Sequence, residues 1–209
     1  MKHHPFIDHA TCSSLIAKFV ETRASHGVSV RNPGDHRIFG FERFISKDIT
    51  QEMFDLDADY IRESCGLDVK YQTLMVNHTF MEPGALGSGE GWHRDSVRSK
   101  QFKTIFYLVP VNLDNGPFRI FLNKSFILDF VFWFKRRLSD DIVNFAGRFG
   151  IKPKIITSDT AGFGFSANTN QIHRGSTITN GERYAVTVYS YLKEPDKGIY
   201  ELATGELKK

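Results

Sequence analysis

The spacing of apolar residues predicts two helices in the first third of the chain. Over residues 11–24, apolar side chains recur at helical spacing, and Gly27 follows as a stop signal. A second helix begins where Ser46 or Asp48 can cap it and ends at Gly66. The predicted buried positions are Leu15, Ile16, Phe19 and Val20 in the first helix, and Met53, Leu56, Tyr60 and Ile61 in the second.

From residue 70 onward, apolar and polar residues alternate as in β-strands. Over residues 71–80 the alternation puts one set of side chains on a single face, namely Thr73, Met75, Asn77 and Thr79. Further strands are predicted at 101–113, 118–122, 155–156, 162–167 and 183–192. Asp114-Asn115-Gly116 predicts a hairpin that pairs the strands on either side of it. The pattern favours a mainly β sandwich or barrel with a helical buttress.

A helical insert is predicted around residues 126–150. It begins with the most apolar window of the chain, FILDFVFWFKRRL, and continues as an amphipathic helix with Ile142, Phe145, Ala146 and Phe149 facing inward. The apolar window has two interpretations. It is a core or interface helix, or else Phe130, Trp133 and Phe134 border a substrate entrance or contact a membrane through the segment 126–137.

Composition narrows the class of protein. A chain of 209 residues with 41% hydrophobic residues fits a single domain spanning 1–209. The net charge is +3 and Lys and Arg are scattered, so no nucleic-acid partner is expected. Cys12 and Cys65 fit reduced thiols, and the N-terminus shows no signal peptide, so we expect a cytoplasmic protein.

A candidate metal site begins at Gly91-Trp92-His93-Arg94-Asp95-Ser96. Residues i and i+2 of a strand point to the same face, so His93 and Asp95 can converge on one point. His173 is the candidate third ligand. Two histidines and one carboxylate, with the remaining coordination positions open, suit non-haem Fe(II). Taken singly, His93 and Asp95 are also compatible with an ordinary surface pair on a loop, and His173 is compatible with a structural histidine near a turn.

Arg183 lies ten residues after His173 and opens a predicted strand. On that strand it shares a face with Ala185, Thr187 and Tyr189, so it points inward among small and polar neighbours. A buried arginine needs a partner, and a carboxylate held by two parallel hydrogen bonds is the natural one. The cosubstrate that offers both a metal chelate and a distal carboxylate is 2-oxoglutarate.

These stretches resemble the Fe(II)/2-oxoglutarate dioxygenases of the phytanoyl-CoA dioxygenase type. The resemblance covers residues 70–125 and 160–192, and it is carried by GWHRDS, QFKTIFYLVPVNLDNGPFRIFLNKS and AGFGFSANTNQIHRGSTITNGERYAVTVYSYL. It implies a double-stranded β-helix, a cupin-like jelly roll, with N-terminal helices. It also implies Fe(II), 2-oxoglutarate and O₂ as cofactor and cosubstrates.

The resemblance assigns roles to individual residues. His93, Asp95 and His173 would bind iron, and Arg183 would hold the far carboxylate of 2-oxoglutarate. Asn77 stands where the family often has an amide that contacts the cosubstrate. Ser176 and Thr104 are two further candidates for that contact. Trp92, the glycine-rich loop 83–91 and the residues around Arg98 are candidates for a lid.

The function that these residues favour is hydroxylation of an unactivated C–H bond in a small molecule, with release of succinate and CO₂. Related halogenases replace the carboxylate ligand with a small residue, whereas Asp95 is present here. Nucleic-acid demethylases of the superfamily carry a second arginine where this chain has Tyr189. Lipids, sugars and secondary-metabolite intermediates are the candidate substrates. The alternative is a non-catalytic, cupin-like protein that binds a metal or a ligand.

Overall fold

The computed structural model describes residues 1–4, 7–26, 28–30, 32–95, 101–122, 128, 130 and 137–194. The strands are β1 (Lys2–His4), β2 (Ser29–Val30), β3 (Asp35–Phe39), β4 (Tyr71–Phe80), β5 (Gln101–Tyr107), β6 (Phe118–Ile120), β7 (Lys154–Ile156), β8 (Gly164–Asn168), β9 (His173–Gly175) and β10 (Glu182–Tyr191). The α-helices are α1 (His9–His26), α2 (Lys47–Cys65) and α3 (Asp140–Gly147), and a 3₁₀ helix covers Phe41–Phe44.

The strands form two antiparallel sheets. The larger has the order β1-β8-β5-β10-β4-β3-β2, and the smaller has the order β7-β6-β9. The central strands of the larger sheet, β10 and β4, pair over their full length from Glu182↔Phe80 to Tyr191↔Tyr71. The expected mainly β architecture with a helical buttress is therefore confirmed.

Helices α1 and α2 cover the outer face of the larger sheet. Leu15 and Phe19 of α1 and Met53 of α2 are buried in one core with Val76 of β4 and Val186 of β10. Because alternate residues of a strand point to opposite faces, the remaining positions of β4 and β10 face the smaller sheet. These positions are Thr73, Met75, Asn77, Arg183, Ala185, Thr187 and Tyr189, and they line a cavity.

The ends of α2 agree with the sequence signals. The Ser46 side chain accepts a hydrogen bond from the backbone N–H of Asp48 at the N-terminus. Gly66 ends the helix in the left-handed region, with φ 64°, and its N–H donates to the Arg62 carbonyl. Helix α1 extends two residues beyond the predicted range 11–24 at each end.

The predicted hairpin between 101–113 and 118–122 is wrong. β5 ends at Tyr107 and belongs to the larger sheet, whereas β6 pairs with β7 and β9 in the smaller one. The turn itself forms, with Gly116 at φ 81° and the Asn115 side chain bonded to the Asn112 N–H. Pro110 lacks an N–H for a continued ladder, so the chain crosses here from one sheet to the other.

The orientation predicted for the amphipathic helix is only half right. α3 is shorter than expected and buries Val143 and Ala146, which lie three residues apart on one face. Phe145 and Phe149 are 53% and 62% exposed and contact each other edge to face at 5.2 Å. Their four-residue spacing places both on the solvent side, so they do not belong to the core.

Most of the apolar window at 126–138 lies outside the described residues, including Trp133 and Phe134. Leu128 is buried and Phe130 is 58% exposed. No helix within the described ranges is both long and apolar enough to span a membrane. A substrate entrance or membrane contact at 126–137 stays a prediction.

A chain of buried polar side chains lies on the helix-covered side of β5 and β8. The Thr104 hydroxyl donates to the Asp57 carboxylate and contacts the Ser166 hydroxyl, which in turn contacts the His4 ring. Thr104 therefore points away from the cavity, which is the reverse of what a 2-oxoglutarate contact requires. Burial raises the pKa of Asp57 from 3.8 to about 6, although hydrogen bonds from Ser190 and Thr104 oppose the rise.

We expect Asp57 to make the protein less stable as the pH rises from about 4 to about 6, because the folded state binds the proton more tightly than the unfolded chain. The shift corresponds to about 3 kcal/mol. Asp57→Asn should remove this component. Urea unfolding of both proteins at about pH 4 and about pH 7 measures it. The prediction fails if the two proteins lose stability in parallel.

Candidate metal centre and its cavity

The segment after the glycine-rich loop is hydrogen-bonded to β9. His93 and His173 exchange both backbone hydrogen bonds, at 3.0 and 2.9 Å, and the Asp95 N–H donates to the Thr169 carbonyl at 3.0 Å. These bonds keep residues 93–95 extended, so the side chains of His93 and Asp95 point to the same side. The pairing also brings His173, 80 positions further along the chain, directly opposite His93.

The three side chains meet in one place. One ligand atom from each of His93, Asp95 and His173 lies within 4.8 Å of the other two. The Nε2 atoms of His93 and His173 are 3.7 and 3.6 Å from the carboxylate oxygens of Asp95. Among the described residues, the buried Nε2 of His173 has no hydrogen-bond partner.

Backbone carbonyls fix the tautomer of both imidazoles. Nδ1 of His93 lies 2.8 Å from the Gly91 carbonyl, and Nδ1 of His173 lies 2.8 Å from the Gln171 carbonyl. A carbonyl oxygen only accepts, so each Nδ1 carries the hydrogen and each Nε2 keeps its lone pair. This second interaction of the ring is the one that metal-binding histidines in proteins characteristically make.

The electrostatics favour the states that bind a metal. Burial, together with the charge of the neighbouring histidine, lowers the pKa of His93 to about 3. Burial also lowers the pKa of His173 to about 4. Burial opposes ionisation of Asp95, but the ammonium of Lys103 and the two imidazoles hold the pKa of this carboxyl well below its usual range. Both histidines are therefore neutral and the carboxylate is ionised near neutral pH.

Lys103 is a buried residue of this site that sequence reasoning missed. Its Nζ is 2.6 Å from Oδ2 of Asp95 and 4.8 Å from the centre of the Tyr189 ring. Its pKa is raised because the Asp95 carboxylate outweighs burial, which acts in the other direction. The alternation of side chains along β5 could have revealed it, because it puts Lys103 on the same face as Ile105 and Tyr107.

The glycine-rich loop packs directly against the metal ligands. Gly89 has φ +87°, and a Cβ built on it would lie 2.3 Å from Cε1 of His93. Arg137 holds the loop through hydrogen bonds from its Nη1 to the carbonyls of Gly89 and Glu90. Trp92, a candidate lid residue, is only 2% exposed, and its Nε1 donates to Asp140. It anchors the segment, so the lid assignment for Trp92 is wrong. Arg98 lies outside the described residues.

We expect Gly89→Ala to lower metal affinity by about tenfold to a hundredfold, the range found when the groups that orient a ligand are changed. The added methyl group must displace the His93 ring from its present position. Gly84→Ala is the matched control, because Gly84 has a similar φ of +81° and no atom within 4 Å of the added Cβ. Anaerobic Fe(II) titration measures both. Equal affinities in the two variants would contradict the prediction.

A cavity of about 440 Å³ opens between the two sheets beside the metal ligands. Its wall includes residues of β3, β4, β5, β9 and β10 and of the loop 88–90. Arg183 is 4% exposed, its Nη1 donates to the Gly116 carbonyl, and its Nη2 donates to the Thr79 hydroxyl at 3.4 Å. No carboxylate among the described residues forms an ion pair with it, and its Nε has no partner there.

Of the two further candidates for a contact with 2-oxoglutarate, Asn77 lines the cavity and Ser176 does not. Asn77 lines the cavity and donates to the Thr79 hydroxyl at 2.8 Å, so it shares a hydrogen-bond partner with Arg183. Ser176 is buried and does not line the cavity, although its neighbour Gly175 does. A buried ion pair that the sequence did not reveal, Arg37–Asp35 at 2.5 Å, lies beside Asn77.

The fold is similar to those of several solved oxygenase structures. A prolyl-4-hydroxylase from Pseudomonas putida aligns with a TM-score of 0.63 and 14% identity over 92% of each chain. The α-ketoglutarate-dependent epimerase SnoN, solved with Fe³⁺, α-ketoglutarate and nogalamycin RO, has a TM-score of 0.59 and 14% identity over 90% of this chain and 77% of its own. HygX from Streptomyces hygroscopicus, solved with nickel and 2-oxoglutarate, has a TM-score of 0.60 and 12% identity over 90% and 81%.

The chain has the double-stranded β-helix fold of the 2-oxoglutarate-dependent oxygenases. At this level of identity the likeness shows the fold and not the reaction. No protein-family model matches the chain, and no curated protein matches it either. Membership of the phytanoyl-CoA dioxygenase type therefore stays a prediction.

Proposed function

We propose that this protein is an Fe(II)- and 2-oxoglutarate-dependent dioxygenase that hydroxylates a C–H bond of a small molecule and releases succinate and CO₂. One observation carries the proposal. A half-buried and a buried neutral imidazole and an ionised carboxylate present their ligand atoms within 4.8 Å of one another at the wall of a cavity. Such a donor set with open positions is the one that non-haem Fe(II) oxygenases use.

The residues fit a divalent metal. His93 and His173 would contribute Nε2, whose lone pair is free because Nδ1 donates to a backbone carbonyl. Asp95 would contribute a carboxylate oxygen that stays ionised next to Lys103. Bound Fe(II) would supply the activation of O₂ that no side chain of the protein can supply.

The residues also fit 2-oxoglutarate. Arg183 presents a guanidinium at the cavity wall with no carboxylate partner among the described residues. Burial lowers the pKa of Arg183, and a buried cation of this kind is stabilised by an anion that brings two acceptor oxygens. Asn77 stands beside it as a second candidate donor. We do not assign a contact to Ser176, which lies outside the cavity lining.

The protein positions the reaction and excludes water. The loop 88–90, held by Arg137, closes one side of the cavity next to His93. Removal of water strengthens every electrostatic interaction between the bound groups and the wall. The presence of Asp95, where related halogenases have a small residue, supports hydroxylation as the outcome.

The test is uncoupled turnover of 2-oxoglutarate. Protein loaded anaerobically with Fe(II) and 2-oxoglutarate is exposed to air, and succinate is measured. We expect succinate that depends on both Fe(II) and O₂. Protein that binds Fe(II) and 2-oxoglutarate but forms no succinate above a protein-free control would contradict the proposal and support the non-catalytic binding protein instead.

A further inference from the structure

The described charges around the cavity do not balance. Three ion pairs border it, namely Arg37–Asp35, Arg137–Glu90 and Lys103–Asp95. Arg183 adds a positive charge that has no carboxylate partner within the described part of the chain. Arg94 also lines the cavity and is not counted among these groups, which together carry one surplus positive charge. Buried charges are generally paired, so a surplus of this kind calls for an anion.

The cofactor and cosubstrate of the proposed function do not remove this surplus. A divalent metal adds two positive charges and the dianion of 2-oxoglutarate adds two negative ones, so the sum is unchanged. The distribution does change. Asp95 would share its charge between the metal and Lys103, and 2-oxoglutarate would neutralise Arg183. The surplus then falls on Lys103.

Lys103 has room for a second acceptor. An ammonium group has three N–H donors, and Asp95 is its hydrogen-bond acceptor among the described residues. Nζ lies at the cavity wall over the face of Tyr189. Next to it on the same face of β5, Gln101 donates to the Tyr191 hydroxyl at 3.3 Å, and both side chains line the cavity.

Lys103 and Arg183 serve different ends of the cavity. In the sheet, Lys103 is the partner of Tyr189, and Gln101 is the partner of Tyr191. Arg183 lies six residues before Tyr189 on β10, which corresponds to about 20 Å along the strand. A cosubstrate carboxylate held by Arg183 is therefore not shared with Lys103.

We propose that the end of the cavity formed by Lys103, Gln101, Tyr189 and Tyr191 binds a carboxylate of the substrate, so that the substrates are small organic acids. This inference rests on the proposed function, because it takes the other end to be filled by 2-oxoglutarate. A carboxylate would supply the missing negative charge through a charge-assisted hydrogen bond to Lys103. A neutral amide of the same shape would not supply it.

The test compares acids with their amides. Protein loaded anaerobically with Fe(II) and saturating 2-oxoglutarate is titrated with two matched pairs, phenylacetate with phenylacetamide and hexanoate with hexanamide. Binding is followed by the change in the metal-to-ligand charge-transfer absorption of the bound 2-oxoglutarate. We expect at least one acid to bind about tenfold to a hundredfold more tightly than its amide, as one hydrogen bond to a charged group gives. No acid binding more tightly than its amide would overturn the inference.

Lys103→Met is the decisive variant, because it keeps the length of the side chain and removes the charge. It should abolish the preference for acids, measured as the ratio of acid affinity to amide affinity within the variant at saturating Fe(II) and 2-oxoglutarate, because Lys103 also pairs with the metal ligand Asp95. Lys154→Met, at an exposed lysine on β7, should keep the preference. If Lys103→Met retains the preference, Lys103 does not bind the substrate acid. Absence of the absorption in the unmodified protein would contradict the proposed function itself.

Discussion

Replacement of His93 by alanine should lower Fe(II) affinity and succinate formation by more than about a hundredfold, since changes to the groups that merely orient a metal ligand already cost up to that much. The variant removes one of three ligand atoms, and among the described residues it leaves the half-buried Asp95 carboxylate with Lys103 and His173 as its ion-pair partners. Both effects favour the metal-free protein. Anaerobic Fe(II) titration and the succinate assay measure them separately.

His78→Ala is the matched control for that experiment. His78 is a buried histidine of β4 that faces away from the cavity, where it stacks on Tyr184 with ring centroids 4.2 Å apart and bonds to Glu182. Its loss should lower stability and leave Fe(II) affinity unchanged. The site assignment is wrong if His93→Ala binds Fe(II) as tightly as His78→Ala does.

Replacement of Arg183 by alanine should raise the 2-oxoglutarate concentration needed for half-maximal succinate formation by about a hundredfold or more, the typical cost of truncating one partner of a buried, hydrogen-bonded charge pair. Fe(II) affinity without 2-oxoglutarate should stay the same, because Arg183 makes no contact with the three metal ligands among its hydrogen bonds. The concentration dependence of succinate formation and an Fe(II) titration check these two results.

Arg183→Lys provides a graded variant. Lysine keeps the charge but cannot present two parallel donors to one carboxylate, so its requirement for 2-oxoglutarate should lie between those of the unmodified protein and the alanine variant. Arg62→Ala, at an exposed arginine of α2, controls for loss of an arginine as such. An unchanged 2-oxoglutarate requirement in Arg183→Ala would show that another group holds the distal carboxylate.

Local alternation made much of the site predictable. The rule that i and i+2 share a face places Asn77 with Thr73 and Met75 on β4, and Arg183 with Ala185, Thr187 and Tyr189 on β10, as the cavity wall shows. The same rule placed Asp95 beside His93. The N-cap Ser46 and the terminating Gly66 are also signals that depend only on neighbouring residues, and both boundaries of α2 follow from them.

Long-range pairing was not predictable from the pattern. β9 spans only three residues, so it gives no strand signal, yet it carries His173 and pairs with the segment that carries His93. The Asn115-Gly116 turn was visible, but its signal does not say which sheet each flanking strand joins. Lys103 was missed because a lysine on a strand is ordinarily exposed, whereas here contacts with Asp95 and Tyr189, which the fold creates, stabilise it in the interior.

The most direct measurement is the absorption spectrum of the protein after anaerobic addition of Fe(II) and 2-oxoglutarate. If His93, Asp95 and His173 hold iron and leave two positions for the chelating cosubstrate, one equivalent of Fe(II) per chain should give a metal-to-ligand charge-transfer band, and Asp95→Ala should lack it. The absence of a band in the unmodified protein, or a band of equal strength in Asp95→Ala, would contradict this account.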